Sequence, residues 1–215
     1  INVLFCKGLL ICFFAMIVVG CCSVFGVVSG IIASAPDIDD IDATPTGYQT
    51  VVLDSEGNQT AVLVASGSNR KYVTIDEIPL DLQHAFVALE DARFYDHNGI
   101  DLKGIVRAGI TGVANGFHFS QGASTITQQL LKNTVFTEWV YEESMADKFE
   151  RKFQEQYLAL QLEKVVDKDW ILENYLNAIN LGHNTLGVGV ASERYFGKNV
   201  SDLTLSECAV LAAIT

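Results

Sequence analysis

The chain has 215 residues, 49% of them hydrophobic, with 26 acidic against 14 basic side chains and a formal net charge of -12. That length suits one domain of ordinary size plus an appendage. The charge repels nucleic acid and excludes it as a partner. The sequence opens on Ile1 and stops at "AVLAAIT", inside an apolar run, so it reads as a fragment cut at both ends.

From Gly8 to Pro36 no residue is charged and most are apolar. A membrane-spanning helix needs about 20 such residues, whereas the core of a signal peptide runs to about 7–15. "ASAPD" has the look of a cleavage site, but Pro36 would follow the cut. "VVGC" resembles a lipoprotein signal, yet apolar residues rather than a polar tether follow Cys21. The expectation is an uncleaved single-pass anchor over residues 1–35. Lys7, the one charge before the span, places the N-terminus in the cytoplasm and the rest of the chain on the outer face of the cell membrane.

Cys6, Cys12, Cys21 and Cys22 lie in or beside this span, which leaves Cys208 alone outside and no intramolecular disulfide there. No Cys/His metal spacing is present, and the four histidines are scattered. Without Lys7 the outer portion has 13 basic and 26 acidic residues, a charge of -13. Against that background a tight cluster of cations would be a local feature with a purpose.

Residues 36–77 read as a linker and a β-hairpin element, with two β-rich runs flanking "SEGN" in "GYQTVVLDSEGNQTAVLVAS". From residue 78 the periodicity is helical, and residues 78–215 form one mainly α domain, truncated at its C-terminal end. "LDLQHAFVALEDARFY" places Leu82, Phe86 and Leu89 at helical spacing, with "HNG" as a stop. "LKGIVRAGITGVANG" is a weak, Gly-rich helix, and Thr125 with Gln128 begins another in capping-box register. Further helices are expected over 146–166, 168–182 and 203–213. The stretch around "LGVGVASERYFGK" reads as a loop.

Chemistry could sit in four places. Glu90 falls in register with Leu82, Phe86 and Phe94, and a carboxylate in an apolar stripe is poorly solvated, which suits it to take and give protons. The bland alternative is a surface glutamate paired with Arg93 at i+3. In "GASTITQQLLKN", Thr125, Gln128, Gln129, Lys132 and Asn133 line up uncharged donors and one ammonium with no acid. Ser124 and Thr125 lie at a helix start, where free N–H groups favour an anion. An ordinary cap on a wet face fits as well. In "FERKFQEQYLALQLE", Phe149, Phe153, Tyr157 and Leu160 make one apolar face and Leu158, Leu162 and Val165 another, which predicts a helix packed on two sides. Arg151 and Glu155 lie beside the second face, as an ion pair or as part of a cleft. Glu173, Asn177 and Asn180 keep helical spacing and read as a packed helix.

Together the four sets resemble the peptidoglycan glycosyltransferase domain (glycosyltransferase family 51) of class A penicillin-binding proteins and monofunctional transglycosylases. The likeness runs in order through "EDARFYDHNGID", "QGASTITQQLLKN", "RKFQE", "ILENYLNAINLG" and "GVASERYFGK". Two departures stand out. Ala123 occupies a position where the family usually has a second glycine, and "TVFTEWVYEESMADKFE" is longer than usual, an insertion at a lid or groove edge.

The resemblance implies a lysozyme-like helical domain that polymerises lipid II. The glycan of one lipid-linked molecule would pass to the 4-hydroxyl of another, giving β-1,4 strands with release of undecaprenyl pyrophosphate. Glu90 matches the general base, supported by Asp91, and Glu155 the second glutamate near the leaving pyrophosphate. Lys132, Arg151 and Lys152 match cations around the phosphates. Ser124, Thr125, Gln128 and Gln129 match the donor groove, with Asn133 and His97 beside it. The implied partners are lipid II, the growing glycan, the membrane and other cell-wall synthesis proteins. A divalent cation, magnesium or manganese, is a candidate at the pyrophosphate, although no dedicated ligand set is visible. A glycan-cleaving enzyme shares the lone glutamate but needs no phosphate-binding cations, and a scaffold would need neither.

Overall fold

The computed structural model describes residues 2–65, 67–116 and 122–215. Helix α1 (Asn2–Ala33) has 32 residues, a length of about 48 Å at 1.5 Å per residue. That exceeds the roughly 30 Å of hydrocarbon in a bilayer, and α1 is long and apolar enough to cross a membrane. The hairpin follows, with β1 (Thr50–Leu53) antiparallel to β2 (Gln59–Leu63). Its turn closes where the Asp54 carboxylate accepts the Glu56 and Asn58 N–H groups, each at 2.9 Å.

The remaining body is helical: α2 (Leu80–Glu90), α3 (Leu102–Ala114), α4 (Ile126–Thr134), α5 (Met145–Val165), α6 (Lys168–Ala178), α7 (Gly187–Phe196) and α8 (Leu205–Ala212). Helix α4 packs between α5 and α6, and α2 packs on α8. Leu82, Phe86, Phe94, Ile126, Leu130, Leu131, Leu158, Ile171, Leu172, Tyr175 and Leu211 are fully buried among them. Helix α1 leans on α5 near its C-terminal end, where Gln154 Nε2 donates to Ser34 Oγ at 3.1 Å.

The linker is clamped rather than loose. Asn177 pairs with both backbone groups of Val73, accepting its N–H at 3.0 Å and donating to its carbonyl at 2.7 Å. Arg70 donates from Nε to the Asn177 carbonyl at 2.6 Å, satisfying one of the open groups at the end of α6. Glu173 accepts the Ile75 N–H and the Tyr72 hydroxyl. The row Glu173 and Asn177 is therefore a clasp for residues 70–75, and Asn180 Oδ1 closes the next turn on Gly182 N–H at 3.0 Å.

Several sequence expectations are corrected. Helix α2 ends at Glu90, because Asp91 leaves helical geometry (φ -156°, ψ 71°) and its carboxylate is taken up elsewhere. Phe94 thus reaches the core from a separate 3-10 turn, Phe94–Asp96, and Leu89 is exposed. Helix α5 packs on two sides, against α4 and α1, but its apolar faces are covered incompletely: Leu158 and Leu162 are buried and Phe153 and Tyr157 partly so, while Phe149, Leu160 and Val165 are exposed. Helix α6 stops at Ala178. Gly187–Phe196 is a helix, not a loop. Its glycines weaken the helical signal, yet a Cβ at Gly189 would lie 2.6 Å from the Lys71 carbonyl, so the clamped linker demands glycine there.

Candidate active site

Glu90 is the last residue of α2 and half-buried, at the edge of a cleft of about 450 Å³. The cleft is lined by Ala88 to Arg93, by Asp101, Gly104 and Arg107, and by Gly122 to Thr125. The pairing with Arg93 that would make Glu90 an ordinary surface residue does not form: Arg93 forks onto Asp101 instead. Among the described residues Glu90 has no ion pair. Its carboxylate accepts from Gln129 Nε2 at 2.7 Å and from the Thr215 hydroxyl at 2.6 Å. The Tyr175 hydroxyl approaches Gln129 Oε1 at 3.5 Å, a long contact consistent with the amide turning its NH₂ toward Glu90. Burial, then the Glu90 charge, pushes the Tyr175 phenol far above its usual range, so it stays a donor.

Asp91 and His97 form a staple behind Glu90. The buried Asp91 carboxylate receives His97 Nε2 at 2.9 Å and the Ile126 N–H at 3.1 Å, joining the end of α2 to the start of α4. The polar row on α4 divides. Thr125 is the N-cap, with Oγ1 accepting the Gln128 N–H at 3.2 Å. Thr125 Oγ1 also donates to the Gly99 carbonyl at 2.7 Å, and Gln128 Nε2 donates there at 3.3 Å. Both side chains are buried; Thr125 still lies at the edge of the cleft, whereas Gln128 is not among its lining residues. Gly99 sits at φ +90°, where a Cβ would lie 2.5 Å from the Ala159 carbonyl, so only glycine can offer that carbonyl so close to α5. Gln129, about 100° around the helix from Gln128, points to Glu90. Lys132 and Asn133 are partly exposed.

Helix α5 brings the charges. Glu155 is fully buried and bonds to Arg151 and, at 2.7 Å, to Lys152 Nζ. Lys152 Nζ also donates to Ser124 Oγ at 3.1 Å, tying the cluster to the cleft that holds Glu90. Arg151 Nε donates to Glu142 at 2.7 Å. Burial works against the Arg151 charge, but the hydrogen bonds to Glu142 and Glu155 outweigh it and hold the guanidinium above its usual range. Lys132 is half-buried and shifted downward, first by burial and then by the Lys152 charge, with Glu155 opposing. Arg151 lowers it further and Glu90 opposes. Lys132, Arg151 and Lys152 thus share one electrostatic neighbourhood, three cations against the carboxylates of Glu155 and Glu142.

A divalent cation would need several free oxygens. Glu155 is already engaged by two cations, and one buried oxygen of Glu142 has no hydrogen-bond partner among the described residues. Among the described residues no group of three or more His, Cys, Asp or Glu converges. The residues present do not fit a protein-built metal site. No spacing in the sequence marks Tyr175 or Glu142 as members of this cluster. A buried tyrosine needs a partner for its hydroxyl, which was the one signal available for Tyr175.

Residues 56–215 match the family described as Transglycosylase. Penicillin-binding protein 1A of Clostridium perfringens (strain 13) is 44% identical over 191 residues, covering 87% of this chain and 27% of that protein. The protein of the same name in Clostridium tetani is 38% identical across 97% of this chain and 26% of its own length. In Escherichia coli K12 the figures are 39%, 98% and 24%. The chain thus spans about a quarter of the length of these relatives. With the family match covering most of its length, the chain belongs to the transglycosylase family.

Proposed function

We propose that this chain polymerises lipid II, joining glycan units by β-1,4 linkages with inversion. The observation that carries the reading is a half-buried carboxylate with no ion pair among the described residues, beside three cations gathered in a chain of net charge -12. Glu90 takes the proton of the acceptor 4-hydroxyl, and that oxygen attacks the anomeric carbon of the donor. The bond from that carbon to the diphosphate breaks, and the electron pair leaves on the diphosphate. Arg151, Lys152 and Lys132 stabilise the charge that develops there. Diphosphate is a good leaving group, so cations serve it better than an acid, and no covalent nucleophile is required. Glu155 orients Arg151 and Lys152, while Gln129, with Tyr175 beside it, keeps Glu90 in place.

The lipid tail of such a substrate stays in the bilayer, so the domain lies against the outer leaflet with α1 as its anchor and the N-terminus in the cytoplasm. Leu102, Ile105, Val106, Ile110 and Val113 on α3 are exposed apolar residues suited to that surface. The same contact is expected to run on to Phe119, but residues 117–121 lie outside the described part. The growing glycan and other cell-wall synthesis proteins are the proposed partners. Incubation with purified lipid II and, separately, with mature glycan tests the reading. Polymer from lipid II with intact glycan supports it, whereas cleavage of the glycan would replace it with a lysozyme-type activity.

A further inference from the structure

Trp139 lies in the 3-10 turn Thr137–Tyr141, between α4 and α5, with its ring centre 4.3 Å from Lys132 Nζ. Arg151 and Lys152 each bond a carboxylate, but among the described residues Lys132 has no ion pair. Its charged surroundings come from three elements: Glu90 on α2, Arg151, Lys152 and Glu155 on α5, and the Trp139 ring from the turn. Burial and the two neighbouring cations disfavour the ammonium there, and the two carboxylates offset this in part.

A carboxylate against Lys132 would fix it but cancel its charge toward an incoming anion. An indole face attracts the ammonium through the ring quadrupole and leaves the net charge in place. The turn is itself tied to the same cluster. Glu142, the residue after it, bonds Arg151 at 2.7 Å, with side chains only 15% and 12% exposed.

We infer that Trp139 is a positioning residue, holding Lys132 toward the leaving diphosphate without neutralising it, and that Glu142 anchors the turn that presents it. This rests on the reading of Lys132 as a phosphate-binding cation.

The test uses the full chain in detergent, with a polyprenyl diphosphate as the binding probe and lipid II as the substrate for a pH profile. W139L should weaken diphosphate binding by roughly 2- to 30-fold, the span of a cation–π contact between exposed and desolvated settings. W139F should lose less, because a smaller aromatic face remains. The alkaline limb of polymerisation should move to lower pH in W139L and less so in W139F. In a K132A background W139L should add no further loss. Should the leucine variant fail to fold, W139F against W139M gives the same comparison. Equal behaviour of the aromatic and aliphatic variants would overturn the inference, as would a full W139L effect without Lys132. If K132A alone leaves diphosphate binding unchanged, the underlying role of Lys132 falls. If K132A loses binding and W139L does not, only the role of Trp139 falls.

Discussion

Glu155→Gln removes one charge from the most buried point of the cluster while keeping its shape. Glu155 is fully buried, Arg151 is 12% exposed and Lys152 is 41% exposed at the side chain. Removing one partner of a buried ion pair costs about 3–5 kcal/mol. The Lys152 contact, being partly solvated, contributes at most about 1 kcal/mol of this. Gln still accepts one hydrogen bond and Arg151 keeps Glu142, so the expected loss is somewhat smaller, about 2–4 kcal/mol. Urea unfolding of the intact chain in detergent, followed by fluorescence, measures it. Polymerisation of lipid II should also fall, because two cations lose their common anchor. A stability change under about 0.5 kcal/mol, the range of an ordinary surface substitution, would refute the reasoning.

Lys132→Ala and Arg151→Ala should abolish polymerisation and weaken a phosphate-bearing lipid ligand far more than a phosphate-free one. Equal losses on both would make these cations structural. Glu207 caps α8 and bonds Lys198 at 2.9 Å, and Lys198 with the Thr204 N–H and hydroxyl holds its pKa down from 4.5 to about 2. Its contribution to stability is therefore complete above about pH 4.5 and is lost as the pH falls toward 2. Acid unfolding of E207Q should show a weaker pH dependence across that window, and an unchanged profile would contradict the assignment. A chain lacking residues 1–35 should still bind liposomes through α3, and Val106→Glu with Ile110→Glu should release it. If the truncated chain ignores liposomes, α3 is not a membrane face.

Much of the architecture could be read from spacing. The apolar run before Pro36 and the helices α4, α5 and α8 follow from periodicity and capping residues, which are local properties of the chain. What escaped depended on contacts distant in sequence. Asp91 breaks α2 because His97 and the Ile126 N–H capture its carboxylate, and no window around Glu90 contains that information. Gly189 looked like a loop residue because propensity is local, whereas its reason is the Lys71 carbonyl across the clamp. The site was legible by type but not by direction. Thr125 and Gln128 share a face with Lys132 in sequence, yet both side chains are spent on the Gly99 carbonyl, and of the two only Thr125 reaches the cleft. Trp139 lies in an irregular segment with no period to flag it, and only the fold brings it over Lys132.

The most direct measurement is the rate of lipid II polymerisation by Glu90→Gln beside the unaltered chain. The substitution keeps the acceptor for Gln129 or Thr215 and removes the base, so the rate should fall at least about 100-fold, the lower range for a positioned general base. Unfolding of the variant should remain close to that of the parent. Near-normal turnover by the folded variant would contradict the account.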